Sequence, residues 1–450
     1  MKKLVIISIF IFNQLLFAQF NNLQPNQAIL GGGFGLTWID GRPHYALRFF
    51  PEIQFSKIGV GLDLNFEFTP EGKLRSENFN EFSDYLSIIR YIRYGYKHDP
   101  LYLRVGALDY ATLGHGSIMY LYNNSPTFDA RRIGIELDID FDNYGFESVY
   151  GNFGKGGVMG IRGYIRPIQF TDLAEIPIIG KFEVGASIVT DTDDKSGVVN
   201  GIYDSNQNVY ISTRDEGSTT IIGIDFGLPI IRTGMVDFDL YFDHSKIINF
   251  GSGSAFGAKV NFKGLGLVTL NTRLERRFNG EQYLPSYFNS LYEIERFRVN
   301  KSEETISTKV QQLITAQALN GYFGELRMNW IGLLDVMGSF QKIDKIPESG
   351  ILHLWTIFNQ EGFPYLFRAG YDKINIKNFG DLFKMDERSY LYAEFGYKIQ
   401  EYLVLSMVYS WTYSPERDGT NNIIGYKTQK KVEPRISFIY PLNYGPESGN

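Results

Sequence analysis

The chain has 450 residues, a formal net charge of −6 and no cysteine. The lack of cysteine excludes disulfides and thiolate chemistry, and the negative charge argues against nucleic acid as a partner. Aromatic residues make up 16% of the chain and glycine occurs 47 times, a composition that favours many β-strands over helices.

The first 18 residues predict a secretory signal peptide. Lys2 and Lys3 give a positive start, residues 4–17 are mostly apolar, and Ala18 suits a cleavage position. The apolar run is shorter than the about 20 residues that a spanning helix needs, and no later segment comes near that length. If the mature chain meets a membrane, it does so with strands.

Charged and apolar residues alternate along several later segments. In Glu136 to Asp142, "ELDIDFD", carboxylates take every second position, and successive side chains of a strand point to opposite faces. Each such segment would therefore have one wet face and one apolar face. The residues predicted on the wet, lumen-lining face are Asp63, Glu67, Glu136, Asp138, Asp140, Asp237, Asp239, Asp243, Lys259, Lys263, Arg273 and Arg327. Acidic residues outnumber basic residues in this set, which weakly favours the passage of cations.

Candidate strands between residues 28 and 440 number 21, of which 84–96 and 116–123 carry the weakest pattern. Many run for about 9–13 residues, the length that crosses a bilayer at a tilt, and aromatic residues gather near their ends. A secreted soluble β-sandwich usually has shorter strands. Because a bacterial single-chain barrel has an even number of strands, we predict an all-β fold, a transmembrane antiparallel β-barrel of about 18–20 strands over residues 19–440.

The pattern resembles that of bacterial outer-membrane β-barrel proteins from Gram-negative bacteria. The resemblance rests on the signal peptide, the long amphipathic strands, the lack of cysteine and the aromatic-rich last strand, Arg435-Ile436-Ser437-Phe438-Ile439-Tyr440. It implies an outer-membrane location, contact with outer-membrane lipid and lipopolysaccharide, and insertion by the barrel-assembly machinery. A ten-residue tail, 441–450, follows Tyr440, where barrels of this class often end on the aromatic residue.

Two segments depart from the strand pattern and are predicted to constrict the lumen. Residues 280–319 form a long insertion in which apolar residues recur at helical spacing after Ser302, a candidate N-cap. It would be either an external loop helix or a plug inside the pore, with Ile306, Val310 and Leu313 on its apolar face. In residues 85–97 the cations Arg90 and Arg93 lie among tyrosines, which suits either an interfacial girdle or the lumen wall.

Catalytic and metal sites are weakly indicated. His115 and Ser117 have the parity of a base and nucleophile but lie in a glycine-rich turn, and a barrel lipase or protease centred on them is a minor alternative. Asp191 to Asp194 offers oxygen ligands without the glycine turn and terminal Glu of a Ca²⁺ loop. We predict no enzyme activity, no cofactor and no metal site.

The leading functional hypothesis is a water-filled, loop-constricted pathway for passive diffusion of small hydrophilic solutes. The alternative is a non-conducting barrel with a structural or secretion-associated role, its lumen closed by residues 280–319. A homo-oligomer is left open by the sequence, as is the identity of the solute.

Overall fold

The computed structural model describes residues 27–75, 85, 88–97, 99–127, 131–154, 156–264, 266–301, 303–359, 363–400 and 402–443. The predicted signal peptide, Ser302 and tail residues 444–450 lie outside the described residues. Among the described residues, no helix is both long enough and apolar enough to cross a bilayer.

Strands form most of the described chain. The first thirteen are Gln27–Ile39 (β1), Arg42–Phe49 (β2), Glu52–Phe55 (β3), Ile58–Leu62 (β4), Leu64–Phe68 (β5), Ile89–Tyr94 (β6), Leu101–Gly106 (β7), Gly134–Asp140 (β8), Tyr144–Tyr150 (β9), Val158–Ile165 (β10), Glu183–Asp191 (β11), Val198–Asp204 (β12) and Val209–Asp215 (β13). The others are Thr219–Arg232 (β14), Val236–Ile247 (β15), Ser252–Phe262 (β16), Val268–Asn279 (β17), Phe297–Asn300 (β18), Thr305–Thr308 (β19), Asn320–Trp330 (β20), Leu334–Ile343 (β21), Gly350–Asn359 (β22), Tyr365–Ile376 (β23), Ser389–Gln400 (β24), Leu403–Arg417 (β25) and Ile423–Asn443 (β26). The described α-helices are short, Tyr292–Glu295 (α1) and Lys309–Ile314 (α2).

Neighbouring strands pair antiparallel around a closed barrel. β2 and β3 both pair with β1, so together they form one wall strand with an irregularity. β4 pairs with β3 and β5 pairs with β2, so β4 and β5 likewise form one wall strand. Counted in this way, the described wall has 20 strands. β1 and β26 close it, with Gly35 opposite Arg435. The predicted transmembrane antiparallel β-barrel of about 18–20 strands is confirmed.

One predicted wall strand is wrong. Residues 116–123 lie inside the barrel, while each of the other twenty candidate segments corresponds to a wall strand. The segment has the sequence pattern of a strand, and it forms strand-like bridges inside the barrel: Met119 bridges Phe288 in parallel, and Tyr122 bridges Ala111 in antiparallel. A separate four-stranded sheet, which we call the rim sheet, consists of β12, β13, β18 and β19. The sequence pattern did not predict these strands.

The two ends of the barrel differ in loop length. Turns such as 141–143, 233–235 and 331–333 connect strands at one end, which we call the short-turn end. The other end, the long-loop end, has the connections 107–133, 192–218 and 280–319, but also the tight turn Asp40-Gly41. Both residues of that turn have positive φ, +48° and +81°, as a type I′ hairpin requires.

The outer face of the wall is apolar. Phe34, Leu47, Phe256 and Leu274 are each at least half exposed, and they alternate along their strands with inward-facing polar or small residues. A continuous exposed apolar surface of this kind fits lipid and not water. With the even strand number and the unequal ends, this is the architecture of a bacterial outer-membrane barrel, as the sequence predicted.

Two segments from the long-loop end fold inward and share an apolar core with the wall. We call residues 107–127 the first interior segment and residues 280–319 the second. Met119, Tyr122, Phe288 and Tyr292 are all completely buried. The wall residues that join this core come from β9, β10, β11, β14 and β15 and are Val149, Val158, Val189, Ile221 and Ile247.

The predicted helix in the second interior segment is shorter than expected and begins later. Ile306 lies in β19, and the helix is limited to Lys309–Ile314. Thr308 is its N-cap: the Thr308 hydroxyl accepts a hydrogen bond from the Gln311 backbone N–H, and the Gln311 side chain accepts one from the Thr308 N–H. This capping box fixes the start of the helix at Lys309.

Candidate functional site

The acidic row on β8 faces inward and is neutralised by basic side chains. The Lys97 ammonium lies 2.5 Å from Glu136 and 2.7 Å from Asp138. Asp140 pairs with Arg166 at 3.0 Å. The strand ends at Asp140, and Asp142 lies in the following turn with a φ of +65°. The sequence pattern predicts four carboxylates on one face of this strand, but the strand itself contains three.

The acidic residues of β15 also face inward, but their partners are of two kinds, basic side chains and a hydroxyl group. Asp237 pairs with Lys263 at 2.8 Å, and Asp239 pairs with Arg232. Asp243 lies deeper and accepts a hydrogen bond from the Ser117 hydroxyl of the first interior segment. The wall acids near the short-turn end thus meet wall cations, whereas Asp243 meets the chain inside the barrel.

The predicted basic residues of β16, β17 and β20 cluster near the first interior segment. Lys259 Nζ lies 2.8 Å from His115 Nδ1. Arg273 donates to the His115 carbonyl oxygen and to Glu325, the latter at 3.0 Å. Arg327 contacts the Met337 sulfur at 3.3 Å. Lys259 and Arg273 thus hold the segment against the wall.

Asp63, Glu67, Arg90 and Arg93 lie on the other side of the barrel. Asp63, in the break between β4 and β5, pairs with Arg131 at 2.7 Å. Glu67 is completely buried and pairs with Lys431 and Arg75, each at 3.1 Å. A register shift in β6 lets both Arg90 and Arg93 face inward, and Arg93 donates to Gln54 at 2.6 Å.

A cavity of about 260 Å³ lies between the first interior segment and the wall formed by β2–β6 and β22–β26. Of the twelve predicted lumen-lining residues only Asp63 lines it, together with Arg90. Among the described residues, the charged side chains that line it are basic at seven positions and acidic at five: Arg48, Arg90, Arg131, Arg132, Arg368, Lys431 and Arg435, and Glu52, Asp63, Asp109, Glu394 and Glu433.

Most of these basic residues were missed in the sequence. Arg48, Arg368 and Arg435 do alternate with exposed apolar neighbours such as Leu47, Phe367 and Ile436, so the period-2 pattern could have found them. Arg131 and Arg132 fall within the candidate strand 130–142 but precede β8, which begins at Gly134. Their position became evident only with the fold of the loop.

Two of the three apolar residues predicted at a constriction belong to different clusters, and the third is buried outside both. Ile306 packs in the rim sheet with Val198 and Ile424, while Leu313 belongs to the core shared by the interior segments and the wall. Val310 is almost completely buried. They stabilise the second interior segment and do not line the cavity.

Charged contacts anchor the second interior segment to the end of β11. Arg296 donates to Asp191 at 2.6 Å and to Asp193 at 3.1 Å, and it pairs with Glu293 at 2.8 Å. The Tyr292 hydroxyl donates to Asp191 at 2.6 Å. Asp191, the first of the oxygen ligands in the 191–194 run, thus anchors the second interior segment.

The candidate base and nucleophile do not form a catalytic pair. The Ser117 hydroxyl donates to Asp243, and His115 Nδ1 lies next to Lys259. Burial, and next the charge of Lys259, hold the pKa of His115 well below its ordinary value. A nucleophile requires a base within hydrogen-bond reach, and the described contacts of Ser117 and His115 do not provide that arrangement.

No family model matches the chain, and no curated protein matches it. Among solved structures, OccK5 (OpdH) from Pseudomonas aeruginosa has a TM-score of 0.32 and 11% identity, over 92% of this chain and 98% of that chain. The siderophore receptor PiuA from Acinetobacter baumannii has a TM-score of 0.35 and 9% identity, over 93% of this chain and 82% of that chain. At these values the likenesses do not extend to function.

Proposed function

We propose that the barrel is a passive diffusion channel of the bacterial outer membrane for small hydrophilic solutes. The supporting observation is the cavity of about 260 Å³ with its charged lining, since a charged lining would keep water and polar solutes inside an apolar barrel. The two interior segments share apolar cores with β9, β10, β11, β14, β15, β20 and β21, and the second segment also packs against β23, β25 and β26. The path would run through the cavity, narrowed by these segments.

We further propose that the channel prefers anions. The cation preference expected from the sequence counted twelve residues, of which only Asp63 lines the cavity. The cavity itself has seven basic and five acidic side chains, and rings of basic residues favour anions in pores.

Single-channel recording in planar bilayers tests both proposals. We expect ion-permeable steps and, under a KCl gradient, a reversal potential that shows chloride to be more permeant than potassium. No steps from correctly folded protein would refute the channel and favour the non-conducting alternative. Steps with potassium preference would refute only the proposed selectivity.

Arg435→Gln should reduce the anion preference by about a factor of two, because a unit charge about 10 Å from an ion in water contributes about 0.4 kcal/mol. The fold should be retained, since Glu433 keeps its ion pair with Arg48 at 2.5 Å. Lys263→Gln is the matched control: Lys263 pairs with Asp237 on the other side and does not line the cavity. Equal reversal potentials in both variants would contradict the assigned path.

A further inference from the structure

Three potential metal ligands meet where the first interior segment touches the wall. They are His115 from the segment, Asp225 from β14 and Asp243 from β15, and one ligand atom of each lies within 4.8 Å of the other two. His115 Nε2 is 3.8 Å from the nearer Asp225 oxygen. A cavity of about 20 Å³, lined by these three residues and Ser117, separates them, a volume that suits one water molecule or one ion.

Two of the three ligand atoms have no hydrogen-bond partner in the described part of the chain. Asp243 is only 5% exposed; one of its oxygens accepts from Ser117, and the other, Oδ1, has no partner. His115 Nε2 is likewise buried without a partner. Buried polar atoms are nearly always satisfied in native proteins, and exceptions call for a physical reason such as an ion.

The nearby basic side chains do not fully neutralise the two carboxylates. Arg162 donates to both Asp225 oxygens, at 2.9 and 2.6 Å, but also to Glu147 and Glu183. One guanidinium is thus divided among three acids. Within the described residues, Asp243 has no ion-pair partner at 4.0 Å or closer. An ionised carboxylate buried in this way is costly unless a cation compensates it.

The second nitrogen of His115 is already engaged. Lys259 Nζ lies 2.8 Å from Nδ1, which leaves Nε2 as the nitrogen that faces the carboxylates. A cation at Nε2 requires the neutral tautomer with its proton on Nδ1. Because an ammonium group cannot accept that proton, metal binding must release a proton from Lys259 or displace Lys259 from Nδ1.

We propose that His115, Asp225 and Asp243 form a binding site for one divalent transition-metal ion. Imidazole nitrogen with carboxylate oxygens is a donor set that suits Zn²⁺ and similar ions. Metal–ligand bonds of about 2.0–2.2 Å require the three atoms to approach by several tenths of an ångström. The proposal departs from the sequence-based prediction of no metal, because the three residues are 110 and 18 positions apart and meet only in the folded barrel.

A bound ion would fasten the first interior segment to β14 and β15. The segment borders the proposed path, so the site would fix the width of the channel without lying in it. The proposal does not depend on conduction: a barrel that passes no ions has the same three ligands in the same place.

Zinc binding to the tag-free, folded full-length mature protein tests the proposal. After treatment with a chelator, titration with Zn²⁺ alone should show one tightly bound ion per chain, with an increase in thermal stability. Asp243→Asn should weaken binding by more than about tenfold. The variant should fold, because the substitution removes a buried, unpaired charge and retains an oxygen that accepts from Ser117. Heat-dependent gel mobility verifies the fold.

Asp239→Asn is the matched control, because Asp239 lies on the same strand and face but pairs with Arg232; zinc affinity should not change. His115→Gln is a second variant that should also lose the ion. No stoichiometric zinc in the wild type, or the same affinity in wild type and His115→Gln, would overturn the proposal.

Discussion

Replacing Arg296 by alanine should lower the free energy of unfolding by about 3–5 kcal/mol, because it leaves buried acids without their counterion. Arg296 is 4% exposed, and its partners Asp191 and Glu293 are 0% and 2% exposed. Burial opposes its charge, but these carboxylates raise the pKa of Arg296 well above its ordinary value. Loss of the guanidinium should also free the second interior segment from β11.

Equilibrium unfolding in urea and limited proteolysis within residues 280–319 measure the two effects. Arg298→Ala is the matched control, since Arg298 is half buried on the same chain segment and surface-type substitutions usually change stability by less than about 0.5 kcal/mol. Equal losses in the two variants would show that Arg296 is not a specific anchor.

Leu274→Arg should destabilise the barrel in lipid by about 2–4 kcal/mol, the cost of a cation on the lipid face near the bilayer midplane. Leu274 lies in the middle of β17 and is 66% exposed, whereas its neighbour Arg273 faces inward. The measurement is reversible unfolding from lipid vesicles.

The matched control is Leu267→Arg. Leu267 is 60% exposed but lies in the turn at the short-turn end, where the same cation should cost about 0–1 kcal/mol. The dependence on depth is specific to a membrane. Equal costs at the two positions would contradict a barrel wall exposed to lipid.

The wall was predictable because a strand repeats every two residues. The alternation of Leu270 and Leu274 with Asn271, Arg273 and Glu275 requires no tertiary information, and in β17 Leu274 is exposed whereas Arg273 and Glu275 are buried. The interior was not predictable in this way. Residues 116–123 have a strand-like pattern, but nothing local distinguishes a strand in the wall from one that pairs with Phe288 inside the barrel.

The candidate sites depend on contacts between distant parts of the chain. His115 meets Asp225 and Asp243 through the inward turn of the first interior segment, which no periodicity encodes. Arg131 reaches the cavity from a loop. By contrast, the capping box at Thr308 and Gln311 is a four-residue signal, and it could have placed the helix correctly.

The seam between β1 and β26 has a consequence for the order of folding. Gly35 pairs there with Arg435, 400 positions away, whereas Met119 and Phe288 are 169 positions apart. Contacts of greater sequence separation form more slowly, because a longer loop loses more entropy on closure. The interior segments should therefore pair while the sheet is still open, and the seam should close around them. Such an order requires no chain to be threaded through a finished ring.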